Sequence, residues 1–469
     1  MTSLDRAESP VARRARRDSA HHAPVAAEFG ETLKLAVPLA LTQLGQIAMM
    51  TTDLAWIGRL GAEAVAAAAL GQTVSFMGFV IGMGLVSAVA PLTAQAFGAD
   101  NPDRLRRALC VGLWAALFVG IPITLLQLCG ETILLWLGQS APSAKLAGRY
   151  LDGMAWAALP GLWTIAIRGF MGSVNRPAPG LWIMIAAIPA NAVLAYALIY
   201  GAFGLPRLDL LGAGFATSLV SWAMCIASVI VAHRVKPFAA YRVFRDLFRI
   251  DWRLMRELAA IGLPMSGSFA LEYGVFGSAA LLMGLISTAA LTAHQIALNA
   301  AAVLFMVPFG ISMAATVRVG QAVGRDDPAS ARRAGFVALA LGASFMTVMT
   351  LIVLIVRYDI AHLFMGAGGA GEAVELTAML LLVGATFFIA DGIQTVAAGA
   401  LRGMSDTRVP MLFSAIGYWV IGFSASCLLG FTAGFGAVGV WVGLSVGTAV
   451  YAVLLVARFA LKTRAVAAP

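Results

Sequence analysis

Twelve long apolar segments limit the fold of this chain more than any other feature. Each is about 20 residues or longer, the length an α-helix needs to cross the ~30 Å hydrocarbon core of a bilayer. Polar or Gly/Pro-bearing joints separate them, and none alternates as the strands of a membrane barrel do. Only 12% of the 469 residues are charged, so an all-α integral membrane protein is predicted. The predicted spans are 33–57, 66–97, 107–128, 149–172, 179–203, 211–233, 256–285, 289–322, 334–357, 374–402, 409–430 and 436–460.

The basic residues predict how these helices are oriented. With the N-terminus inside, 27 of the 32 Lys and Arg residues fall on the side of the termini and 5 on the opposite side. Short loops rich in Lys and Arg stay in the cytoplasm, so both termini are predicted to be cytoplasmic. This distribution accounts for the net charge of +9, and no nucleic-acid partner is expected. An excess of Arg over Lys, 28 to 4, is typical of GC-rich bacteria, and we expect the bacterial inner membrane.

The two halves of the chain repeat. At a constant offset of 226 residues the aligned pairs include Pro38 and Pro264, Gly84 and Gly310, Gln95 and Gln321, and Gly98 and Gly324. Coincidence explains this poorly, so each half is predicted to form a six-helix bundle. Because six is even, both halves enter the membrane from the same side. Parallel repeats of this kind are typical of secondary transporters, whose substrate site lies between two pseudo-symmetric bundles.

The predicted layout has five regions: a disordered basic cytoplasmic tail at 1–30, an N-terminal bundle at 31–233, a linker at 234–256, a C-terminal bundle at 257–461, and a cytoplasmic tail at 462–469. Aromatic residues are spaced among the arginines of the linker. It is therefore predicted to be an amphipathic helix lying at the membrane surface. A calmodulin-like or lipid-sensing role is the alternative.

Away from their ends, the apolar segments contain three acidic residues: Asp53 in the first helix, Glu272 in the seventh and Asp391 in the tenth. An acidic side chain at membrane depth costs ~2.5 kcal/mol or more, so each is a candidate functional residue. We expect no Lys or Arg deep enough to pair with them, which leaves each able to take up a proton or a metal cation. If the seventh and tenth helices face each other, Glu272 and Asp391 could bind Na⁺, whereas Asp53 is better suited to a proton. Alternatively, each is a protonated acid that hydrogen-bonds two helices.

Amide side chains are the secondary candidates for substrate binding or an auxiliary role. They are Gln43 and Gln46 on the first helix, Asn191 on the fifth, Gln295 and Asn299 on the eighth, and Gln394 on the tenth. Gln394 follows Asp391 by three residues, so the two share a helix face. Hydrogen bonding between helices, without a binding role, is the alternative for all of them.

The repeat also predicts unequal roles for the two halves. In the aligned halves, Glu272 matches Gln46, Asp53 matches Ala279, and Asp391 matches Pro160. The halves are therefore expected to share a scaffold but not a binding site. Such an arrangement favours a division of labour between ion and substrate.

Residues 30 to 460 resemble the multidrug and toxic compound extrusion (MATE) family, in particular its NorM-like branch. The resemblance is carried by LAVPLALTQL, TTDLAWIGRLG with Asp53, LPMSGSFALEYG with Glu272, TAHQIALN, and ADGIQTVAAGALRGMSDTRVP with Asp391. It implies a V-shaped pair of bundles that exports bulky organic cations in exchange for Na⁺ or H⁺. The positions of Glu272 and Asp391 would hold the coupling cation, and that of Asp53 a proton or substrate. Ala187, one turn before Asn191, departs from the polar group of many relatives and weakens a first-half cation site.

The predicted function is therefore secondary active multidrug efflux by antiport of organic cations with Na⁺ or H⁺. We expect a monomer in the lipid bilayer without a cofactor. A flippase for a lipid-linked precursor of the same broader superfamily is one alternative, although flippases carry more basic residues in the cavity than are evident here. A membrane-embedded transferase is another. No enzyme is expected because HExxH, an Asp-rich cluster and GxSxG in the required context are missing, as is the GxxxxGK[ST] loop of an ATP-driven pump.

Overall fold

The computed structural model describes residues 25–365 and 371–465, and every regular element in these ranges is helical. Twelve helical segments cross the molecule in turn, which confirms the predicted all-α, twelve-helix fold class. Their bounds are α1 Val25–Gly58, α2 Ala62–Gly98, α3 Pro102–Leu128, α4 141–173, α5 Ala178–Tyr200, α6 Leu210–Arg234, α7 Trp252–Ile286, α8 Thr288–Gly324, α9 Pro328–Met365, α10 Gly371–Gly403, α11 Arg408–Thr432 and α12 Gly436–Ala465.

The fourth segment differs from the other helices of the described ranges, eleven of which are long and apolar enough to cross a membrane unaided. The turn Ala155–Ala157 divides α4 into Ala141–Met154 and Ala158–Ser173. The predicted span at 149–172 starts within the first of these pieces and missed 141–148, where Lys145 and the polar residues beside it lower the hydropathy.

The bundles meet on the side of the termini through contacts that follow the internal repeat. Gln95 Nε2 donates to the Gly403 carbonyl oxygen at 2.9 Å, and Gln321 Nε2 donates to the Ser173 carbonyl oxygen at 2.8 Å. Gln95 and Gln321 are aligned by the repeat, and each one reaches the end of a helix in the opposite bundle. The two bundles are therefore joined by a reciprocal pair of hydrogen bonds.

Glycine allows the backbones to come close at the same place. A Cβ at Gly98 would lie 2.1 Å from the Gln321 carbonyl oxygen, and a Cβ at Gly324 would lie 2.0 Å from that of Gln95. Both distances are far below van der Waals contact, so a residue with a side chain does not fit at either position. The reciprocal requirement explains why both glycines occur in the repeat.

A cleft separates the bundles on the side opposite the termini. α1 touches α8 where Ala40 meets Gly310, and α2 meets α7 at the Phe76 and Tyr273 rings, whose centroids are 4.9 Å apart. Leu54 lies four turns beyond Ala40 on the same face of α1, where it is 52% exposed. The face of α1 that contacts α8 at Ala40 is thus exposed further along the helix, at Leu54, in agreement with the predicted V shape.

The N-terminal tail and the linker differ from their predictions. α1 begins at Val25, so part of the predicted tail is helical, while residues 1–24 and 466–469 lie outside the described residues. The linker is not a single amphipathic helix, because it contains only the short helical turn Phe238–Tyr241 before α7 begins at Trp252. Ion pairs with α3 explain its irregular path. They join Asp246 to Arg106 at 2.7 Å and Asp251 to Arg107 at 3.0 Å.

Candidate functional site

Two carboxylates lie together inside the C-terminal bundle, on α7 and α10. Gln394 Nε2 donates to Glu272 Oε1 at 3.1 Å and to Asp391 Oδ1 at 3.0 Å. Since both oxygens bond to one nitrogen, they lie within about 6 Å of each other. Asp391 is 5% exposed and Gln394 is 2% exposed. The structure therefore brings together three of the residues predicted for a site. We call its two carboxylates the Glu272–Asp391 pair.

A tyrosine that the sequence analysis did not single out completes this group. Tyr418 on α11 donates its hydroxyl to Glu272 Oε1 at 3.2 Å, and the next residue, Trp419, donates its indole N–H to the Leu271 carbonyl oxygen at 3.0 Å. Both belong to a π-helical stretch, Ala415–Phe423, and such stretches are frequent at functional sites. Tyr418 could not be distinguished beforehand, because a tyrosine in an apolar segment is usually a packing residue.

Arginines lie inside both bundles, although in residues 25–365 and 371–465 no Lys or Arg forms an ion pair with Asp53, Glu272 or Asp391. The Arg402 guanidinium stands 5.0 Å from the centre of the Phe269 ring, and Phe269 precedes Glu272 by one turn of α7. In the N-terminal bundle, Arg168 Nη2 donates to Gln43 Oε1 at 3.1 Å. Both arginines lie near helix ends, from which a long side chain reaches into the bundle.

Asp53 occupies a different environment in the N-terminal bundle, where it is 6% exposed. Asn191 Nδ2 donates to Asp53 Oδ1, and the Thr217 hydroxyl donates to Asp53 Oδ2 at 3.3 Å. Among the described residues, the side-chain oxygen of Asn191 is buried without a hydrogen-bond partner. This site thus offers one carboxylate and one unsatisfied amide oxygen to a proton or a cation.

The remaining predicted amides lie on exposed surfaces. Asn299 Nδ2 donates to the carbonyl oxygen of Gln295 in its own helix at 2.9 Å, and both side chains are exposed. Asn299 precedes Gly310 by three turns on the same face of α8, which places it at the cleft. Gln46 is exposed on α1. These three amides therefore belong to exposed helix faces rather than to the buried acidic sites.

The polar groups hydrogen-bonded to the Glu272–Asp391 pair are the Gln394 amide and the Tyr418 hydroxyl. Within residues 25–365 and 371–465, no three His, Cys, Asp or Glu side chains are grouped closely enough to hold a metal ion. Two carboxylates with hydroxyl and amide neighbours are chemistry that suits a proton or a hard monovalent cation.

A multi-pass membrane protein with two parallel six-helix repeats, a cleft closed at one end and buried acids in each bundle belongs to the class of secondary transporters. A sequence profile of the MatE family matches residues 38–197 and 264–428, once in each bundle. The chain belongs to this family, and its relatives place it in the NorM-like branch.

Two relatives and two solved structures illustrate the similarity. "Probable multidrug resistance protein NorM" of Rhodopseudomonas palustris is 61% identical over 438 residues, covering 93% of this chain and 92% of the relative. "Multidrug resistance protein NorM" of Burkholderia vietnamiensis is 40% identical, covering 94% of this chain and 95% of the relative. The eukaryotic MATE transporter AtDTX14 has a TM-score of 0.84 at 22% identity, covering 94% and 98% of the two chains. A multidrug resistance MATE family transporter described as outward-facing has a TM-score of 0.85 at 18% identity, covering 94% and 97%.

Proposed function

We propose that this protein is a multidrug efflux transporter that exports organic cations across the bacterial inner membrane in exchange for Na⁺ or H⁺, with both termini in the cytoplasm. The names of its relatives support drug export, and the distribution of basic residues supports the orientation. The observation that carries the ion coupling is the Glu272–Asp391 pair, in which a partly buried and a buried carboxylate share one amide donor.

The coupling cation binds at this pair because two carboxylates so close together repel each other when both are ionised. A proton or Na⁺ relieves this repulsion, and a cation with oxygen ligands gains the carboxylates and the Tyr418 hydroxyl as neighbours. Arg402 balances part of the negative charge while the pair is empty. Release of the cation is then possible without leaving two uncompensated charges in the bundle.

The organic cation binds in the cleft, nearer the N-terminal bundle. Asp53, buried in that bundle, supplies a negative charge, and the unsatisfied oxygen of Asn191 supplies an acceptor for the proton of Asp53. If binding of a small cation at the C-terminal bundle weakens binding of the organic cation, then by linkage the organic cation expels the small one. This reciprocal effect is the thermodynamic basis of antiport.

Transport requires that the closed end of the cleft opens. With the termini in the cytoplasm, the closed end is cytoplasmic and this conformation is outward-facing. Opening the other way breaks the contacts on the side of the termini, which include the hydrogen bonds of Gln95 and Gln321 and the close approaches at Gly98 and Gly324. Rocking of one bundle against the other can therefore expose the cleft on alternate sides.

The test is uptake of a fluorescent organic cation into everted membrane vesicles under an imposed Na⁺ or H⁺ gradient. Wild type should accumulate the cation under one gradient, which identifies the coupling ion, and Glu272→Gln and Asp391→Asn should abolish this uptake. Glu63→Gln removes an exposed acid outside the site and serves as the matched control. Normal gradient-driven uptake in both site variants would refute the assignment of the ion site.

A flippase is the second candidate, because arginines inside both bundles could attract a phosphate group of a lipid-linked precursor. The same vesicles separate the two functions. Wild-type vesicles that move no organic cation under either gradient favour the flippase, whose cargo would be anionic.

A further inference from the structure

The linker between the bundles presents an uncompensated positive surface. Its acidic residues are turned away from solvent toward α3, where Asp246 and Asp251 pair with arginines of that helix. Glu257, in the first turns of α7, pairs with Arg104 of α3 at 2.6 Å in the same way. These pairs fix the linker against the N-terminal bundle and occupy its negative charges.

The arginines of the same segment remain at the surface. Five of them are exposed and take part in none of the ion pairs found among the described residues. They are Arg242, Arg245, Arg249, Arg253 and Arg256. The last three surround the start of α7 at Trp252. A concentrated positive charge at the surface of a membrane protein attracts anionic headgroups.

Exposed aromatic rings lie beside these arginines. Trp252 is 60% exposed and stacks on Phe118 of α3, with ring centroids 6.5 Å apart and an angle of 11° between the rings. Phe248 is 89% exposed, and Trp114 of α3 donates its indole N–H to the Leu247 carbonyl oxygen at 2.6 Å. Aromatic rings of this kind are enriched at the level where a bilayer changes from headgroups to hydrocarbon.

The part of α3 that the linker contacts lies at the same boundary between headgroups and hydrocarbon. Arg107 is the last charged residue of α3, and Trp114 follows it by two turns in an apolar stretch. The linker therefore runs beside α3 where its charged start gives way to its membrane-spanning part. Arginine side chains at this height can hold phosphates while the rings beside them contact the upper acyl chains.

We propose that Arg249, Arg253 and Arg256, together with Phe248 and Trp252, form a binding site for an anionic phospholipid of the leaflet on the side of the termini. The guanidinium groups bind the lipid phosphate and the rings pack against its acyl chains. A calmodulin-type partner would need one continuous amphipathic helix, which the irregular path of the linker does not provide. This site is separate from the ion and drug sites, so the proposal does not rest on the function proposed above.

The experiment is a lipid titration of the purified, delipidated full-length protein, monitored by native mass spectrometry. Dioleoylphosphatidylglycerol is the anionic probe and dioleoylphosphatidylcholine the zwitterionic one. Replacing Arg249, Arg253 and Arg256 with Gln should weaken binding of the first phosphatidylglycerol about tenfold or more and leave phosphatidylcholine unchanged. The matched control replaces three other exposed arginines on the same side with Gln, at Arg176, Arg408 and Arg464, and should retain the wild-type affinity.

A second variant guards against an effect on folding. Phe248→Ser changes a side chain that is 89% exposed, and it should weaken phosphatidylglycerol binding several-fold while the thermal unfolding temperature stays that of wild type. Equal losses in the two arginine triple variants would overturn the proposal, because the binding would then reflect general surface charge. Wild-type phosphatidylglycerol affinity in the linker triple variant or in Phe248→Ser would overturn it as well.

Discussion

The buried acids of the two bundles lie on a repeated scaffold, yet their surroundings differ. Asp53 is held by an amide and a hydroxyl, whereas Asp391 shares its amide donor with a second carboxylate. The repeat aligns Asp53 with Ala279, so the duplicated half has lost or never had this acid. The difference shows that the duplicated helices preserve packing, while polar substitutions inside each bundle determine its chemistry.

The interface between the bundles shows the same contrast. The Gln95 and Gln321 contacts occur twice, but an ion pair between Arg318 of α8 and Glu28 of α1 occurs on one side. Its two hydrogen bonds measure 2.9 and 2.7 Å, and the side chains are 15% and 8% exposed. The repeat aligns Arg318 with Leu92 and Glu28 with Leu254, so the α2–α7 side has leucines at these positions. The buried Arg318–Glu28 ion pair therefore joins α1 to α8 and has no counterpart between α2 and α7.

The largest effect is expected when this ion pair is broken. Glu28→Arg places two guanidinium groups together at a buried position, and breaking a buried pair costs about 3–5 kcal/mol. The closed end should then open. Electron-spin distance measurements between labels at Arg176→Cys and Arg408→Cys, with Cys129 replaced by Ser, should show a longer distance. The double variant Glu28→Arg with Arg318→Glu should restore the wild-type distance.

A neighbouring ion pair on the same helix is the control for this experiment. Glu31 and Lys34 lie 2.8 Å apart but are 49% and 76% exposed, so reversing Glu31 should cost at most about 1 kcal/mol and leave the label distance unchanged. A wild-type distance in Glu28→Arg, or failure of the charge swap to restore it, would show that the asymmetric pair does not hold the bundles closed.

An intermediate effect is expected from Gln394→Leu, which removes the donor that distinguishes the C-terminal site. The empty, ionised pair loses hydrogen bonds worth about 1.5–3 kcal/mol, so it should bind its cation roughly ten to one hundred times more tightly and release it more slowly. Gradient-driven uptake should fall, and the coupling ion should compete with the organic cation at lower concentration. Thr377→Val removes a buried hydroxyl of the same helix that donates to the Ala373 carbonyl oxygen, and it should change both quantities much less; equal effects of the two variants would remove Gln394 from this role.

The smallest effect is expected from Tyr418→Phe. It removes one hydroxyl donor from the ionised Glu272 and leaves the shared amide in place, so cation affinity should rise by roughly 1 kcal/mol, or about fivefold, for the same reason as in Gln394→Leu. Tyr451→Phe removes the hydroxyl of the ring that packs 5.1 Å from Tyr418 and is the matched control. A larger change in Tyr451→Phe than in Tyr418→Phe would contradict the hydrogen bond seen at Glu272.

The sequence predicted much of this arrangement, for identifiable reasons. Spanning helices follow from the length of apolar segments, and the grouping of Asp391 with Gln394 follows from their spacing of three. Tyr418 and Arg402 were missed because the contacts of an aromatic ring or a long basic chain depend on how helices pack. Glu28 was assigned to the tail because its partner, Arg318, is 290 residues away, and local composition carries no signal of such a contact.

The central claim is that the coupling cation binds in the C-terminal bundle and the organic cation nearer Asp53. The most direct test is the affinity for tetraphenylphosphonium, measured by equilibrium binding to the purified protein at stepped Na⁺ concentrations and stepped pH. In wild type, rising Na⁺ or falling pH should weaken binding by competition. Asp53→Asn should have lower affinity but keep this dependence, and Asp391→Asn should lose it. Dependence retained in Asp391→Asn and lost in Asp53→Asn would contradict the account.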